Sequence, residues 1–273
     1  MVNSASSAPR GEDAPHRHRD LAEGFGTDAK RHDRARPRYP DALAQAVLAG
    51  LPGRDLVDVG IGTGISALPF RAAGCTVLGV EVDPRMAEVA KDRGFGVEVA
   101  KFEDWNPAGR TFDAVVAGQA WHWVDPVAGA AKAAQVLRPG GRLAVFWNAG
   151  DPPNELARAF AEAYRTVDTG MPYTPWTTSA VDHYSAFTAR AADGMRQAHA
   201  FSEPEQWRFD WQATITRDAW LEQVPTAGGH NRIPRDTLSA LLDGMGKAID
   251  AAGGAFLMRY ATIAVTAVRR QDQ

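Results

Sequence analysis

The stretch Asp55-Leu-Val-Asp-Val-Gly-Ile-Gly-Thr-Gly64 decides the fold. Leu56, Val57 and Val59 form a short apolar run, which is typical of a buried strand in a parallel sheet. Three glycines then make a tight turn, and a helical pattern follows from Ile65 to Ala73. A strand, a glycine turn and a helix bring backbone close to a bound nucleotide in α/β sheets. The stretch therefore predicts a nucleoside-binding loop, with a glycine turn that binds nothing as the alternative.

The spacing of Gly60, Gly62 and Gly64 narrows the choice of ligand. It reads G-x-G-x-G, whereas the dinucleotide fingerprint is G-x-G-x-x-G. Asp58 adds a negative charge, which repels a pyrophosphate at close range but attracts the ammonium and sulfonium groups of S-adenosylmethionine. A second apolar run ends in Glu81, where a carboxylate can accept both hydroxyls of a ribose. These features favour S-adenosylmethionine over NAD.

Five motifs in order carry a family resemblance. They are Val57-Asp-Val-Gly-Ile-Gly-Thr-Gly64, Val80-Glu-Val-Asp83, Phe112-Asp-Ala-Val-Val116, Ala120-Trp-His-Trp-Val-Asp125 and Leu137-Arg-Pro-Gly-Gly141. Together they resemble the class I S-adenosylmethionine-dependent methyltransferases. The His-Trp-x-Asp version resembles the type 11 subgroup, which includes the trans-aconitate methyltransferase-like enzymes. The resemblance covers Phe25 to Asn148 well and the rest of the chain in outline.

Alternating strands and helices from residue 55 to 148 predict a doubly wound α/β sheet. The resemblance implies a Rossmann-like, seven-stranded, mostly parallel sheet whose last strand is antiparallel, with a helical cap inserted after strand five. The expected division is a disordered tail (1–20), a cofactor-binding core (21–150), a cap that roofs the substrate (151–204) and the C-terminal part of the sheet (205–273).

The composition excludes several classes of function. The chain has 273 residues, and its 30 basic and 33 acidic side chains give a net charge of −3, which provides no electrostatic footprint for nucleic acid. The single Cys75 excludes an intramolecular disulfide framework and a cysteine-based metal cluster, and we expect no metal. No apolar run approaches the length of a membrane span, and no signal sequence is recognised. We expect a cytoplasmic protein that is a monomer or a homodimer.

The resemblance also implies residues that contact the cofactor. Arg36 matches the arginine that reaches the cofactor carboxylate, a role that suits the two parallel donors of a guanidinium. Met86 and Val82 match positions beside the nucleoside, with Met86 over the adenine, whereas an ordinary core methionine is the alternative. Phe102 and Glu103 match the segment at the adenine edge.

The segment after strand four adjoins the glycine turn, because open α/β sheets bind ligands at the carboxyl ends of their strands. We therefore expect Gln119 and Ala120 to lie against the methionine part of the cofactor. His122 is the first candidate for a general base, since the pKa of an imidazole lies near working pH. The alternative is a packed, hydrogen-bonded clamp between Trp121 and Trp123. A second candidate base, His230, lies in a loop of unknown role.

These features predict a methyltransferase that passes a methyl group in line to an oxygen, nitrogen or carbon atom of a small-molecule acceptor. The aromatic residues Tyr173, Trp176 and Phe187 indicate an apolar or aromatic acceptor. One alternative is a protein that binds S-adenosylmethionine without transferring its methyl group. Another is an NAD-linked oxidoreductase, against which Asp58 and Ile65 argue.

Overall fold

The computed structural model describes residues 26–171 and 174–271. The predicted tail (1–20) and Tyr173 lie outside the described residues. The strands are β1 (Asp55–Val59), β2 (Thr76–Glu81), β3 (Gly96–Val99), β4 (Phe112–Gly118), β5 (Leu137–Asp151), β6 (Glu205–Thr216) and β7 (Ala255–Val268).

One seven-stranded sheet has the order β3-β2-β1-β4-β5-β7-β6. Strands β1 to β5 run parallel to one another, and β7 is antiparallel to both β5 and β6. The predicted fold class, with its reversed last strand, is confirmed. The order reverses between β1 and β4, so their carboxyl ends form the crevice where ligands bind in such sheets.

The helices are α1 (Ala29–Ala35), α2 (Asp41–Leu48), α3 (Leu68–Ala72), α4 (Pro84–Asp92), α5 (Pro126–Val136), α6 (Asn154–Arg165), α7 (Ala180–Gln197), α8 (Arg217–Gln223) and α9 (Arg235–Ala251). None of the helices in the two described ranges is long and apolar enough to cross a membrane.

Helices cover both faces of the sheet. Side chains of α2, α3 and α4, including Leu43 and Phe70, pack against one face through Leu56 and Phe146. Helices α5 and α7 pack against the other face, where Met195 joins the cluster around the central strands. Because successive residues of a strand point to opposite faces, the apolar residues of β1 contribute to both layers, Leu56 to the first and Val57 and Val59 to the second.

A third cluster forms beyond the carboxyl edge of the sheet. It joins α6 to α8, α9 and the start of β7. Phe160 of α6 stacks on Trp220 of α8, with ring centroids 5.4 Å apart. The segment between β6 and β7 therefore packs with the segment inserted after β5.

The structure differs from one local expectation and adds one element to the expected helical cap. The helix after the glycine turn begins at Leu68 rather than Ile65, because Pro69 is tolerated only in a first helical turn. The stretch from Asp151 to Phe201 also contains the 18-residue helix α7, which packs against α5 and the sheet.

Candidate functional site

The glycine loop begins directly after β1. Gly60, Gly62 and Gly64 have φ angles of 64°, 56° and 90°, a region that residues with a Cβ atom rarely adopt. The Gly60 N–H donates to the Val80 carbonyl at 2.8 Å, which ties the loop to the end of β2. The predicted strand–glycine turn–helix unit is present.

Glu81 holds the loop from the end of β2. Its Oε2 accepts a hydrogen bond from the Gly62 N–H at 2.8 Å, and its Oε1 accepts from the N–H groups of Val82 and Asp83, both at 2.9 Å. Burial raises the pKa of Glu81, and the three N–H donors oppose that rise. Since a carboxylate oxygen accepts two hydrogen bonds, Oε2 retains one acceptor position.

Asp58 is fully buried at the end of β1. The Ser66 hydroxyl donates to its Oδ2 at 2.6 Å, whereas its Oδ1 has no partner among the described residues. The pKa of Asp58 is raised to about 7, because burial and, to a smaller extent, the charge of Glu81 outweigh the opposing hydrogen bond from Ser66. The negative charge assumed from the sequence is therefore not permanent at neutral pH, which weakens the electrostatic argument against a pyrophosphate.

The loops after β1 and β4 touch at Gly60. A Cβ atom built on Gly60 lies only 2.5 Å from the Cβ atom of Ala120. The sequence expectation that residues after β4 adjoin the glycine loop is met by this contact. The Ala120 side chain therefore leaves no room for a Cβ atom on residue 60.

We expect Gly60→Ala to lower the free energy of unfolding by about 1–3 kcal/mol, through left-handed backbone strain and the clash with Ala120. Gly109→Ala is the matched control, since Gly109 has φ 77° and a Cβ built on it meets nothing within 4 Å. Urea unfolding of both variants measures the difference. An equal loss of stability in both would contradict a tight contact at Gly60.

Gln119 bridges three elements at the same edge. Its backbone adopts φ 55°, its N–H donates to the Phe146 carbonyl at 2.8 Å, and its side-chain amide donates to the Asn148 carbonyl at 3.1 Å. A hydrogen bond with Gln119 also lowers the pKa of Tyr184, which burial raises. Gln119 thus lies between β4, β5 and α7.

Arg36 reaches this region from the segment between α1 and α2. One terminal nitrogen donates to the Thr226 carbonyl at 2.6 Å, and the buried Nε has no partner among the described residues. Burial lowers the pKa of Arg36, against the favourable influence of three phenols, Tyr184, Tyr39 and Tyr260. In the described part of the chain no carboxylate forms an ion pair with this cation.

The segment that carries Arg36 is fastened at several points. Arg31 donates to the carbonyls of Leu221 and Glu222, at 3.3 and 3.1 Å. Asp33 pairs with Arg93, at the end of α4. The segment therefore connects α4, the helix after β2, with the end of α8.

The other predicted cofactor contacts occupy different surroundings. The buried Met86 lies beside Gly62, whose built Cβ is 3.5 Å from the Met86 Cε. Val82 is half-buried next to Glu81. Phe102 is 2% exposed in the core cluster, and Glu103 accepts the Asp125 N–H at 2.9 Å. Met86 and Val82 therefore adjoin the loop, whereas Phe102 and Glu103 connect the end of β3 to the start of α5.

His122 lies under α7, at the end of the same loop. Its Nδ1 accepts a hydrogen bond from the Trp147 indole N–H at 3.2 Å, and its ring stacks on Phe187 with centroids 4.9 Å apart. Burial and, to a smaller extent, the nearby His183 lower the pKa of His122 to about 3. The neutral ring therefore carries its proton on Nε2.

His230 is buried beside the third cluster, which joins α6 to α8 and α9. Its Nε2 is hydrogen-bonded to the Tyr164 hydroxyl and its Nδ1 lies 3.4 Å from the Gly228 carbonyl. Burial lowers the pKa of His230, the Gly228 and Ala227 backbone groups oppose this, and the charge of Arg36 lowers it further. Both ring nitrogens are engaged within the protein.

Several residues at this edge were missed by sequence reasoning. Asn148 donates to the Arg38 carbonyl at 3.1 Å and accepts the Thr262 hydroxyl at 2.6 Å. The Thr63 hydroxyl is buried in the glycine loop without a partner among the described residues. Thr63 lies inside the quoted motif and was open to prediction, whereas Asn148 and Thr262 carry no motif.

A separate groove of about 560 Å³ lies beside the end of β5. Its lining contains none of the predicted site residues; it comprises Asp151, Val181, Arg208, Asp210, Trp211, Gln212, Arg259, Tyr260 and Ala261. Within residues 26–171 and 174–271, no group of three or more acidic, histidine or cysteine side chains is placed to hold a metal.

Residues 57–145 match a family model described as a methyltransferase domain. An uncharacterised methyltransferase of Mycobacterium tuberculosis is 35% identical over 136 residues, which are 49% of this chain and 55% of that protein. Demethylmenaquinone methyltransferase of Tropheryma whipplei is 32% identical over 103 residues, 34% of this chain and 41% of its own length. The chain spans about half the length of the curated relatives it matches.

Solved structures share the fold. A protein of Anaeromyxobacter dehalogenans described as a type II methyltransferase has a TM-score of 0.62 at 21% identity, covering 87% of this chain and 99% of that chain. Phosphoethanolamine N-methyltransferase 2 of Haemonchus contortus, solved with S-adenosyl-L-methionine, has a TM-score of 0.51 at 14% identity, covering 97% of this chain and 62% of that chain.

Proposed function

We propose that the protein transfers a methyl group from S-adenosylmethionine to a small-molecule acceptor, because residues 57–145 match a family model described as a methyltransferase domain. The transfer is in line, to a nucleophilic oxygen, nitrogen or carbon atom. Assignment to the trans-aconitate methyltransferase-like subgroup rests on the sequence resemblance alone.

One observation carries the proposal: an acidic and a basic side chain at the carboxyl edge each have one buried polar atom without a hydrogen-bond partner among the described residues. They are Oδ1 of Asp58 and Nε of Arg36. Both groups influence the pKa of Tyr39. Burial makes the largest contribution to raising this pKa, Tyr184 and Asp58 raise it as well, and Arg36 lowers it. An acceptor for an ammonium and a donor for a carboxylate, both close enough to Tyr39 to act on its pKa, match the two charges of an amino acid.

The residues around the glycine loop fit the rest of the cofactor. The remaining acceptor position on Glu81 Oε2 suits a ribose hydroxyl, and Met86 offers an apolar surface beside Gly62. The positive φ angles of the loop let its backbone approach the ligand closely. When bound, the cofactor supplies a methyl group on a sulfonium, an activated donor that needs little help from acids or bases.

We assign His122 a positioning role rather than that of a base. Its Nδ1 accepts a hydrogen bond from the Trp147 N–H, so the other ring nitrogen, Nε2, carries the hydrogen of the neutral ring. Neither nitrogen is therefore free to take a proton from an acceptor. Its lowered pKa further disfavours proton uptake at neutral pH. Its ring fixes the indole of Trp147 and the phenyl group of Phe187 beside the loop after β4.

We expect His122→Asn to retain kcat within about threefold, since the amide oxygen can replace Nδ1 as the acceptor for Trp147, whereas a lost general base costs about 100-fold or more. His122→Ala leaves the Trp147 N–H unpaired and is expected to raise KM for the cofactor more than it lowers kcat. Steady-state kinetics with the cofactor concentration varied up to saturation measures both kcat and KM. An equal collapse of kcat in the two variants would instead identify a base.

His230 is also proposed to act in positioning. Its Nε2 contacts the Tyr164 hydroxyl, so it holds α6 against the loop before α9. Both of its ring nitrogens have partners within the protein, which favours positioning over catalysis. Its role as a second candidate base stays a prediction.

We propose an aromatic or apolar acceptor. Tyr184 and Tyr260 lie near Arg36, and Phe187 packs against Tyr184 with ring centroids 5.9 Å apart. Trp176 packs instead in the third cluster, where its ring centroid lies 5.5 Å from that of Phe160. Placing donor and acceptor together in a pocket shielded from water contributes roughly 7–11 kcal/mol in well-oriented reactions.

Arg36→Met is expected to affect stability and binding in opposite directions. Without cofactor it removes a buried charge that lacks an ion-pair partner, so the midpoint of thermal unfolding rises or holds. The affinity for S-adenosylhomocysteine falls by about tenfold to 100-fold, because the ligand carboxylate loses its donor. Thermal unfolding and calorimetric titration measure the two effects. Arg38→Met, at an exposed neighbour that pairs with Asp33, is expected to leave binding unchanged; similar losses in both variants would contradict the assignment.

A transfer assay tests the function itself. Purified protein is incubated with methyl-labelled S-adenosylmethionine and a panel of small phenols, amines, carboxylic acids and prenyl compounds, with Asp58→Asn as the control. We expect labelled product and S-adenosylhomocysteine with at least one acceptor, and neither with the variant. Tight cofactor binding without transfer to any member would favour the binding protein that the sequence left as an alternative.

A further inference from the structure

Strand β6 leaves one side of the sheet without a neighbour. All twelve of its residues, Glu205–Thr216, pair with β7 in one continuous register. On its other side, no strand within residues 26–171 and 174–271 pairs with it. About half of the backbone N–H and C=O groups of such a strand point outward and remain available.

The edge lacks most of the features that prevent pairing. Natural edge strands are usually short, bulged or interrupted by proline or lysine. Strand β6 is long, its register with β7 has no bulge, and it contains neither proline nor lysine. Its charged side chains are Glu205, Arg208 and Asp210, and the spacing of Arg208 and Asp210 favours one pairing register over its neighbours.

We propose that β6 pairs antiparallel with β6 of a second copy of this chain, about a two-fold axis at Phe209. Opposite residues then have numbers that add to 418, and they share a face of the joined sheet. Arg208 lies opposite Asp210 of the partner subunit, and this ion pair occurs twice. Gln206 lies opposite Gln212 of the partner subunit, so two amides face each other.

The charges select this register over its neighbours. An axis at Arg208 or at Asp210 places that residue opposite its own copy, which opposes like charges. An axis between two residues opposes side chains from different faces, which the pleat does not allow. The axis at Phe209 pairs each charge of Arg208 and Asp210 with its opposite.

The other face of β6 supports the same pairing. Trp207, Phe209 and Trp211 alternate along it and are each half-buried, so part of every ring is available to a partner. Under the proposed symmetry Trp207 lies opposite Trp211 of the partner subunit, and Phe209 lies opposite its own copy. Aromatic pairs of this kind stabilise antiparallel strands.

Charge exchange tests the proposal, which does not depend on the proposed function. Within one chain, Arg208 and Asp210 form an exposed ion pair at 2.8 Å, so exchanging them preserves both the pair and the composition. Arg208→Asp opposes two acidic residues on both sides of the axis, and Asp210→Arg opposes two basic ones. The double variant R208D/D210R restores opposite charges in the same register.

Sedimentation velocity over a range of concentrations measures the result. We expect the wild type to dimerise at about 100 µM or below, each single variant to raise the dissociation constant by about tenfold or more, and the double variant to return to within about threefold of the wild type. Circular dichroism and thermal unfolding verify the fold of each variant. A monomeric wild type overturns the proposal, and so does a dimer that resists both single changes or that the double variant fails to restore.

Discussion

Replacing Glu81 by alanine is expected to abolish measurable cofactor binding and to lower the free energy of unfolding by about 2–4 kcal/mol. The loss of stability arises because three backbone N–H groups, those of Gly62, Val82 and Asp83, lose their acceptor. The loss of binding has two causes: the ribose loses its carboxylate, and the glycine loop loses its anchor to β2. Calorimetric titration with S-adenosylhomocysteine and urea unfolding measure the two effects.

Glu81→Gln separates these causes. Its single oxygen can keep the two hydrogen bonds that Oε1 accepts, while its amide nitrogen replaces Oε2 opposite Gly62. We therefore expect most of the stability to remain and binding to fall by about 100-fold. Glu88→Ala removes an exposed glutamate of α4 that pairs with Lys91, and it is expected to change neither quantity. Wild-type affinity in Glu81→Ala would exclude Glu81 from the site.

Asp58→Asn is expected to weaken S-adenosylhomocysteine binding by about 100-fold at pH 8, because a buried charge partner of the ligand ammonium is removed. The effect depends on pH. Burial raises the pKa of Asp58 to about 7, so in the cofactor-free protein the carboxyl is protonated below that pH. Since the ammonium selects the ionised form, affinity should fall by about tenfold for each pH unit below 7 and level off above it.

The variant reports on the origin of this slope. Asp58→Asn cannot ionise, so the difference in slope between wild type and variant between pH 5.5 and 8.5 isolates Asp58 from Glu81, whose pKa is also raised. Titrations in buffers of different ionisation enthalpy should show proton release on binding by the wild type at pH 6.5 and less release by the variant. Parallel slopes in the two proteins would contradict a direct contact between Asp58 and the ammonium.

The parts of the site that the sequence predicted are local in the chain. Strand β1, the three glycines and Glu81 lie within 27 residues, counted from 55 to 81, and their chemistry depends on spacing. The contact of Gly60 with Ala120 followed from the rule that strand ends meet in a parallel sheet. The charge state of Asp58 did not follow, because a pKa depends on burial that the residue type does not reveal.

The distant parts of the site could not be predicted in the same way. Arg36 meets Thr226, and Asn148 meets Thr262, only through the fold. Helix α7, however, was open to prediction. Ser179 caps it by accepting the Asp182 N–H, and apolar or small residues follow at helical spacing at 181, 184, 188, 191 and 195. The mixed composition of the surrounding stretch concealed this period.

The central claim is that the glycine loop binds S-adenosylmethionine, and calorimetric titration with S-adenosylhomocysteine tests it most directly, with NAD titrated under the same conditions. We expect a single binding site with a dissociation constant of about 1–100 µM for S-adenosylhomocysteine, no heat of binding with NAD, and loss of the site in Asp58→Asn and Glu81→Ala. Binding of NAD alone, or of neither ligand by a folded protein, would contradict the claim.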